Sequence, residues 1–100
     1  YTARDTEADL LSLKKEEIVS VDINDAPAGI PVDQQVDNRR ELPLATGVID
    51  LAAFLNAIHK LGWEGPVRVE PFSAELRKLS PEQAVAATAQ AMKKAFALLR

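Results

Sequence analysis

The stretch IVSVDIND, residues 18–25, decides the fold class because its side chains alternate between apolar and polar. One face holds Val19, Val21 and Ile23, and the opposite face holds Ser20, Asp22 and Asn24. A repeat of two residues is the period of a β-strand, so this stretch predicts a strand with one apolar face and one polar face.

A second stretch with the same period is VRVEPF, residues 67–72. It predicts a short strand over 66–71, with Val67 and Val69 on one side and Arg68 and Glu70 on the other. Because Glu70 stands at the carboxyl end of this strand, directly before a proline, the carboxylate needs an explanation.

Helical signals alternate with the two strands. Residues 6–14 predict a short helix with Thr6 or Asp5 as N-cap, and Asp50 caps a periodic helix that ends at Gly62. The capping box SPEQ at 80–83 opens a long, alanine-rich helix to about Leu99. Strands separated by helices predict parallel pairing through right-handed crossovers.

Two parallel strands by themselves leave both sheet edges unpaired. Further βα units would cover them, and the (β/α)8 TIM barrel is a common way to supply such units. We therefore predict an α/β fold, namely the C-terminal fragment of a (β/α)8 barrel with two parallel strands and three helices. Residues 1–100 would form the last two strands and helices, with the N-terminal strands absent.

The composition of the chain argues against several classes of function. The chain has 100 residues, 47% hydrophobic and 27% charged, as expected for one globular unit. Cysteine is absent, which excludes thiolate metal sites, and His59 is the single histidine. A net charge of −3 with interspersed signs argues against nucleic acid, and no apolar run predicts a membrane span. We expect a cytoplasmic protein.

Residues 26–49 form a long connection that fits no regular element, since it holds three prolines and two glycines. Connections of this length within a compact domain tend to be functional or disordered. The charged centre, Asp37 to Glu41, favours a functional loop.

In a (β/α)8 barrel, the active site lies at the carboxyl ends of the strands. With the valines packed outward, Asp22 and Glu70 project inward toward one mouth. A buried carboxylate must meet a cation or take up a proton, and a divalent ion such as Mg²⁺ or Mn²⁺ would satisfy both groups. An upstream histidine would make Zn²⁺ or Co²⁺ suitable. The alternative is a structural ion pair of Glu70 with Arg68 or with an arginine of another strand.

Several motifs in order resemble the C-terminal part of the xylose-isomerase-like sugar phosphate isomerase/epimerase family. They are VSVDINDAPAG at 19–29, RRELP at 39–43, TGVID at 46–50 and LGWEGPVRVEPF at 61–72. The resemblance extends over about residues 1 to 98. It implies a metal-dependent TIM barrel that acts on sugars, sugar phosphates or related polyols.

The resemblance also implies roles for individual residues. Glu70 occupies the place of a glutamate that binds the metal and acts as a base beside the carbonyl. Asp22 stands where relatives commonly have a histidine ligand, so Glu70 and Asp22 are the predicted metal residues. Arg40, with Arg39 as its neighbour, matches an arginine that binds substrate. Asn24 and Asp25, at the rim, would contact substrate or cap the loop.

Three functions remain open from the sequence. The first is a metal-dependent sugar isomerase or epimerase working through an enediolate, of which this chain alone would lack the complete site. The second is an inosose-type dehydratase on the same barrel. The third is a non-catalytic binding or assembly fragment with a decayed metal site. We expect a sugar or sugar phosphate as ligand, and either self-association or pairing with the missing N-terminal part.

Overall fold

The computed structural model describes residues 1–100 as a small α/β unit around a two-stranded parallel sheet. Strands β1 (Val21–Ile23) and β2 (Val67–Val69) pair so that Val21 lies opposite Val67 and Ile23 opposite Val69. The α-helices are α1 (Glu7–Leu11), α2 (Leu51–Lys60), α3 (Ala74–Arg77) and α4 (Pro81–Phe96), and two 3₁₀ helices cover Lys15–Glu17 and Val32–Gln34. The predicted parallel α/β arrangement is confirmed.

The helix boundaries follow the capping signals of the sequence. The Asp50 carboxylate accepts a hydrogen bond from the Ala53 N–H (2.9 Å) at the start of α2, and Gly62 leaves that helix with a φ of +82°. Ser80 and Gln83 form the predicted capping box of α4. Each such cap satisfies backbone groups that the helix leaves unpaired. None of the helices is long and apolar enough to cross a membrane.

The hydrophobic core lies on one face of the sheet only. It consists of six buried side chains from β1, α2 and α4: Val21, Ile23, Leu51, Leu55, Ile58 and Ala95. Burial of each larger aliphatic side chain contributes about 1.5–3 kcal/mol. The side chain of Asp22, between Val21 and Ile23, therefore faces away from the helices, and the helices leave the polar face of the strand uncovered.

Some sequence expectations differ from the structure at the element ends. β1 begins only at Val21, and Val19 is 92% exposed because β2 starts opposite Val21 and offers Val19 no partner. α1 stops at Leu11, which leaves Leu13 41% exposed. The structure has a fourth α-helix, α3, which was not predicted because four residues are too few to reveal a helical period.

Candidate functional site on the open strand face

The polar faces of β1 and β2 form one continuous surface, which we call the open strand face and define by Asp22, Asn24, Arg68 and Glu70. Asp22 and Arg68 are exposed. Asp22 lies between Val21 and Ile23, which point into the core. Within the two strands the alternation is therefore as predicted, since Asp22 and Arg68 are exposed while their strand neighbours are buried or half-buried.

Asp22 and Arg68 face each other across the strand pair and form a two-point ion pair. Arg68 Nε donates to Asp22 Oδ1 at 2.9 Å, and Arg68 Nη2 donates to Asp22 Oδ2 at 3.1 Å. This hydrogen bond and the charge of Asp22 raise the pKa of Arg68 above its ordinary value, and the charge of Glu70 adds to the effect. Arg68 thus pairs with Asp22 and not, as one alternative supposed, with Glu70.

Glu70 follows β2 directly, and its backbone is tied to β1. Its N–H donates to the side-chain Oδ1 of Asn24 at 3.0 Å. The Glu70 carboxylate itself is exposed and makes no ion pair or hydrogen bond. Asn24 therefore holds the position of Glu70 while the carboxylate stays available to a ligand.

A cavity of about 220 Å³ opens at the carboxyl end of β1. Its polar lining comes from Asp22, Asn24 and Arg40 together with Tyr1 and Thr2. Glu70 lines a separate hollow with Phe72 and other residues that follow β2. Three of the predicted site residues thus share one cavity, and Glu70 joins them through the strand face rather than through that cavity.

Arg40 is held in its place by its own loop. Its Nη1 donates to the Val36 carbonyl (2.8 Å) and its Nη2 to Asp37 Oδ1 (2.9 Å), and its backbone N–H donates to the Phe72 carbonyl (3.1 Å). Its side chain is 18% exposed. Arg39, by contrast, is exposed and its guanidinium makes no ion pair. Of the two predicted arginines, the cavity receives Arg40.

Asp25 is the buried polar centre of the long loop, with 0% of its surface exposed. Its carboxylate accepts backbone N–H bonds from Ala26 (2.8 Å), Thr46 (3.0 Å), Gly47 (2.7 Å) and Ile49 (3.1 Å). Burial raises the pKa of Asp25, but these four bonds outweigh it and leave the pKa below its ordinary value. The sequence left two roles open for Asp25, contact with substrate or capping of the loop. These bonds are those of a capping residue.

The loop is also clamped to both strand exits. Asp25 and Glu41 form an isolated antiparallel bridge with N–H···O distances of 2.9 and 3.0 Å. Ser73 Oγ donates to Glu41 Oε2 at 3.3 Å. Since Arg40 precedes Glu41, these contacts position its guanidinium at the strand tips. Sequence reasoning missed the clamp because a single bridge has no periodic signal.

The described residues do not fit a metal ion by themselves. No group of three or more His, Cys, Asp or Glu side chains is arranged to hold one. Both oxygens of Asp22 already accept from Arg68, so Glu70 is the one predicted ligand without a cationic partner. A zinc ion usually takes at least three protein ligands, which this face does not supply.

Comparison with known proteins agrees with the fold. The family model of the xylose isomerase-like TIM barrel matches residues 1–95. The chain therefore belongs to the xylose isomerase-like TIM barrel family. A search of curated proteins found no match.

Two solved structures are similar to this chain. One is the IolI protein with a bound zinc atom, with 26% identity and a TM-score of 0.84 over 95% of this chain. The other is a xylose isomerase domain protein from Alicyclobacillus acidocaldarius, with 29% identity and a TM-score of 0.78 over 98% of this chain. The chain spans about a third, 34%, of the length of each.

Proposed function

We propose that this chain is the C-terminal part of a metal-dependent sugar or sugar phosphate isomerase or epimerase that works through an enediolate. The observation that carries the proposal is the free carboxylate of Glu70, which stands at the carboxyl end of β2 on the open strand face. The carboxyl ends of barrel strands are where enzymes of this fold place their reacting groups.

In the proposed reaction, Glu70 removes a proton from the carbon next to the substrate carbonyl. The electron pair of that C–H bond forms the C=C bond, and the carbonyl electrons move to oxygen, which gives the enediolate. Return of the proton to the former carbonyl carbon, with transfer of the hydroxyl proton from one oxygen to the other, completes an isomerisation. An epimerisation requires protonation of the same carbon from its opposite face, by an acid that residues outside these 100 would supply. General-base catalysis of this kind contributes about 10²–10⁴-fold to a rate.

Asn24 and Arg40 are the proposed substrate-binding residues, because they line the cavity beside the strand face. Arg40 presents a guanidinium that its loop has already fixed, so little side-chain freedom is lost on binding. Arg39, which is exposed, is proposed only as an outer contact. A bound sugar would lie between the cavity and Glu70.

The zinc atom in the IolI structure supports a divalent ion as the cofactor of the whole protein. Glu70 is the ligand that this chain would contribute, and the remaining ligands would come from residues outside the 100 described. The prediction that Asp22 is a second ligand requires Asp22 to leave Arg68.

The test is substitution of Glu70 in the full-length protein. Glu70→Gln keeps the shape of the side chain and removes the base, so turnover of an aldose and ketose panel falls by about 10²-fold or more. Exchange of the substrate C–H proton with D₂O falls with it. Glu64→Gln, at an exposed position in the turn before β2, is the matched control. Equal activity of the two variants would refute the proposal.

A second candidate is a non-catalytic assembly fragment, and the Asp22–Arg68 pair favours it because the pair occupies one predicted metal ligand. Metal content after dialysis distinguishes the two functions. About one equivalent of divalent ion per full-length protein supports the enzyme, and a metal-free protein without isomerase activity supports the assembly fragment.

We further propose that the open edges of the two-stranded sheet are covered by the remaining strands of a barrel, from the N-terminal part of the protein or from self-association. The sheet has only β1 and β2, and unpaired edges promote pairing with other strands. Light scattering of the isolated 100 residues at high concentration tests this, since a stable monomer would contradict it.

A further inference from the structure

The Asp22–Arg68 pair differs from the other ion pairs of the chain. Arg40–Asp37 and Lys78–Glu75 join residues three positions apart, whereas Asp22 and Arg68 join two strands across 46 positions. Exposed ion pairs of flexible side chains contribute little to stability unless their geometry is bidentate. The Asp22–Arg68 pair has that geometry, which fixes the orientation of the guanidinium.

The geometry of the pair leaves much of the guanidinium free. Asp22 receives Nε and Nη2, so Nη1 has no hydrogen-bond partner. A guanidinium has five N–H donors in a planar fork, and Asp22 fixes the plane of that fork by binding one edge. The Arg68 side chain is 63% exposed, and that of Asp22 is 33% exposed. The unbound edge is therefore rigidly oriented and accessible.

Arg68 is near the proposed base along the chain. Glu70 directly follows β2 and stands two positions after Arg68, the spacing that puts two side chains on the same side of an extended segment, and the charge of Glu70 acts on Arg68. Asn24 ties Glu70 to the strand that also carries Asp22. The proposed base, Glu70, and the guanidinium of Arg68 are thus each held by a residue of the neighbouring segment: Glu70 by Asn24 and Arg68 by Asp22.

A metal at Asp22 would meet two obstacles. It would have to break two charge-assisted hydrogen bonds, which are the stronger kind. It would also place a divalent ion next to a guanidinium that had just lost its counter-charge, and like charges at a few ångströms repel. Both effects favour Asp22 as the partner of Arg68.

We propose that Arg68 binds a carbonyl or hydroxyl oxygen of the substrate and that Asp22 is its positioning residue rather than a metal ligand. This inference rests on the proposed function of Glu70. As Glu70 removes the proton, negative charge develops on the substrate oxygen, and the fixed N–H donors of Arg68 stabilise that charge. No net oxidation or reduction occurs, and each proton taken from carbon is replaced by one proton delivered to carbon.

The kinetic test compares Arg68→Gln, Arg68→Lys and Asp22→Asn in the full-length protein, with Lys94→Gln on the far helix as control. Arg68→Gln lowers kcat/KM by about 10²-fold, as loss of one oxyanion donor does. Arg68→Lys recovers part of the loss because lysine supplies charge without the fork. Asp22→Asn costs about tenfold, and adding it to Arg68→Gln costs nothing further, since a positioning residue acts only through its partner.

The second readout is Zn²⁺ affinity by calorimetry, which does not depend on turnover. Asp22→Asn changes the affinity by less than about twofold, whereas Glu70→Gln lowers it. A tenfold loss of Zn²⁺ affinity in Asp22→Asn would overturn the role of Asp22, and Arg68→Gln kinetics equal to those of Lys94→Gln would overturn the role of Arg68. Failure of the proposed function has a different signature, namely full activity of Glu70→Gln.

Discussion

Asp22 and Asp25 lie three residues apart, and the structure uses the same side chain in opposite ways. Asp25 is completely buried and is surrounded by four backbone N–H donors. Asp22 points out of the sheet and meets a single arginine from the next strand. The difference shows that position relative to the strand end, rather than residue type, separates a carboxylate that holds a loop from one that faces a site.

The surroundings of Asp25 and Asp22 also differ in the groups that replace water as hydrogen-bond donors to the carboxylate. The N–H groups around Asp25 belong to the backbone and cannot move without unfolding the loop, so they form a fixed cradle. Arg68 is a flexible side chain on an exposed face, and it is ordered by the contact with Asp22. We therefore expect Asp25 to determine stability and Asp22 to determine activity.

The largest effect on stability is expected from Asp25→Asn. The amide NH₂ replaces an oxygen that now accepts N–H bonds, so at least one buried donor loses its partner. Loss of hydrogen bonds to a buried charged group costs about 2–3 kcal/mol. Urea denaturation measures the loss. Asp33→Asn, at an exposed position of the same loop, is the matched control, and equal midpoints for the two variants would refute the structural role of Asp25.

The pH dependence of stability gives a second test of Asp25. Because the folded pKa of Asp25 lies below its ordinary value of 3.8, its contribution to stability is complete above that pH. The contribution is lost as pH falls through the lower folded pKa. Urea midpoints measured between pH 6 and the acid limit should fall less steeply in Asp25→Asn than in the unsubstituted chain. Identical pH profiles would contradict the assignment.

A smaller loss is expected from Gly47→Ala. Gly47 adopts a φ of +70° and donates to Asp25 Oδ2 at 2.7 Å. No neighbour blocks an added Cβ, so the cost is that of a left-handed alanine, about 1 kcal/mol. Gly29→Ala, at a φ of +76° and also without a neighbour that blocks a Cβ, should cost about the same, because the two glycines share the conformation. A stabilised Gly47→Ala variant would show that the cradle does not require this conformation.

The smallest stability change is expected from Asp22→Asn. Its partner is exposed, and exposed ion pairs are screened by water and salt. The urea midpoint should therefore shift less than in Gly47→Ala, while kcat/KM falls. A midpoint shift as large as that of Asp25→Asn would remove the distinction between the two aspartates.

Much of the fold was predictable from local signals. The caps at Asp50 and Ser80 and the alternation in both strands place the helices and identify the strand faces, because these features depend on residues within one or two turns. The strand ends were not predictable. β1 extends only as far as β2 offers a partner, and those partners are 46 positions away in the sequence.

The candidate site was predictable only in part. Parity alone put Asp22 and Glu70 on the same strand face. The pairing of Arg68 with Asp22 was not predicted, because Arg68 was considered only as a partner of Glu70. The observed pairing depends on the register of two strands 46 positions apart. The buried cradle of Asp25 was also beyond local reasoning, since three of its four donors come from residues 46–49.

The central claim is that the open strand face, with Glu70 and Arg68, is the face that meets substrate. The most direct measurement is a crystal structure of the full-length protein with a sugar alcohol bound. We predict a hydroxyl oxygen at hydrogen-bond distance, about 3 Å, from the Arg68 guanidinium, with the Glu70 carboxylate beside the adjoining carbon. A sugar alcohol bound elsewhere, in contact with neither Arg68 nor Glu70, would contradict the account.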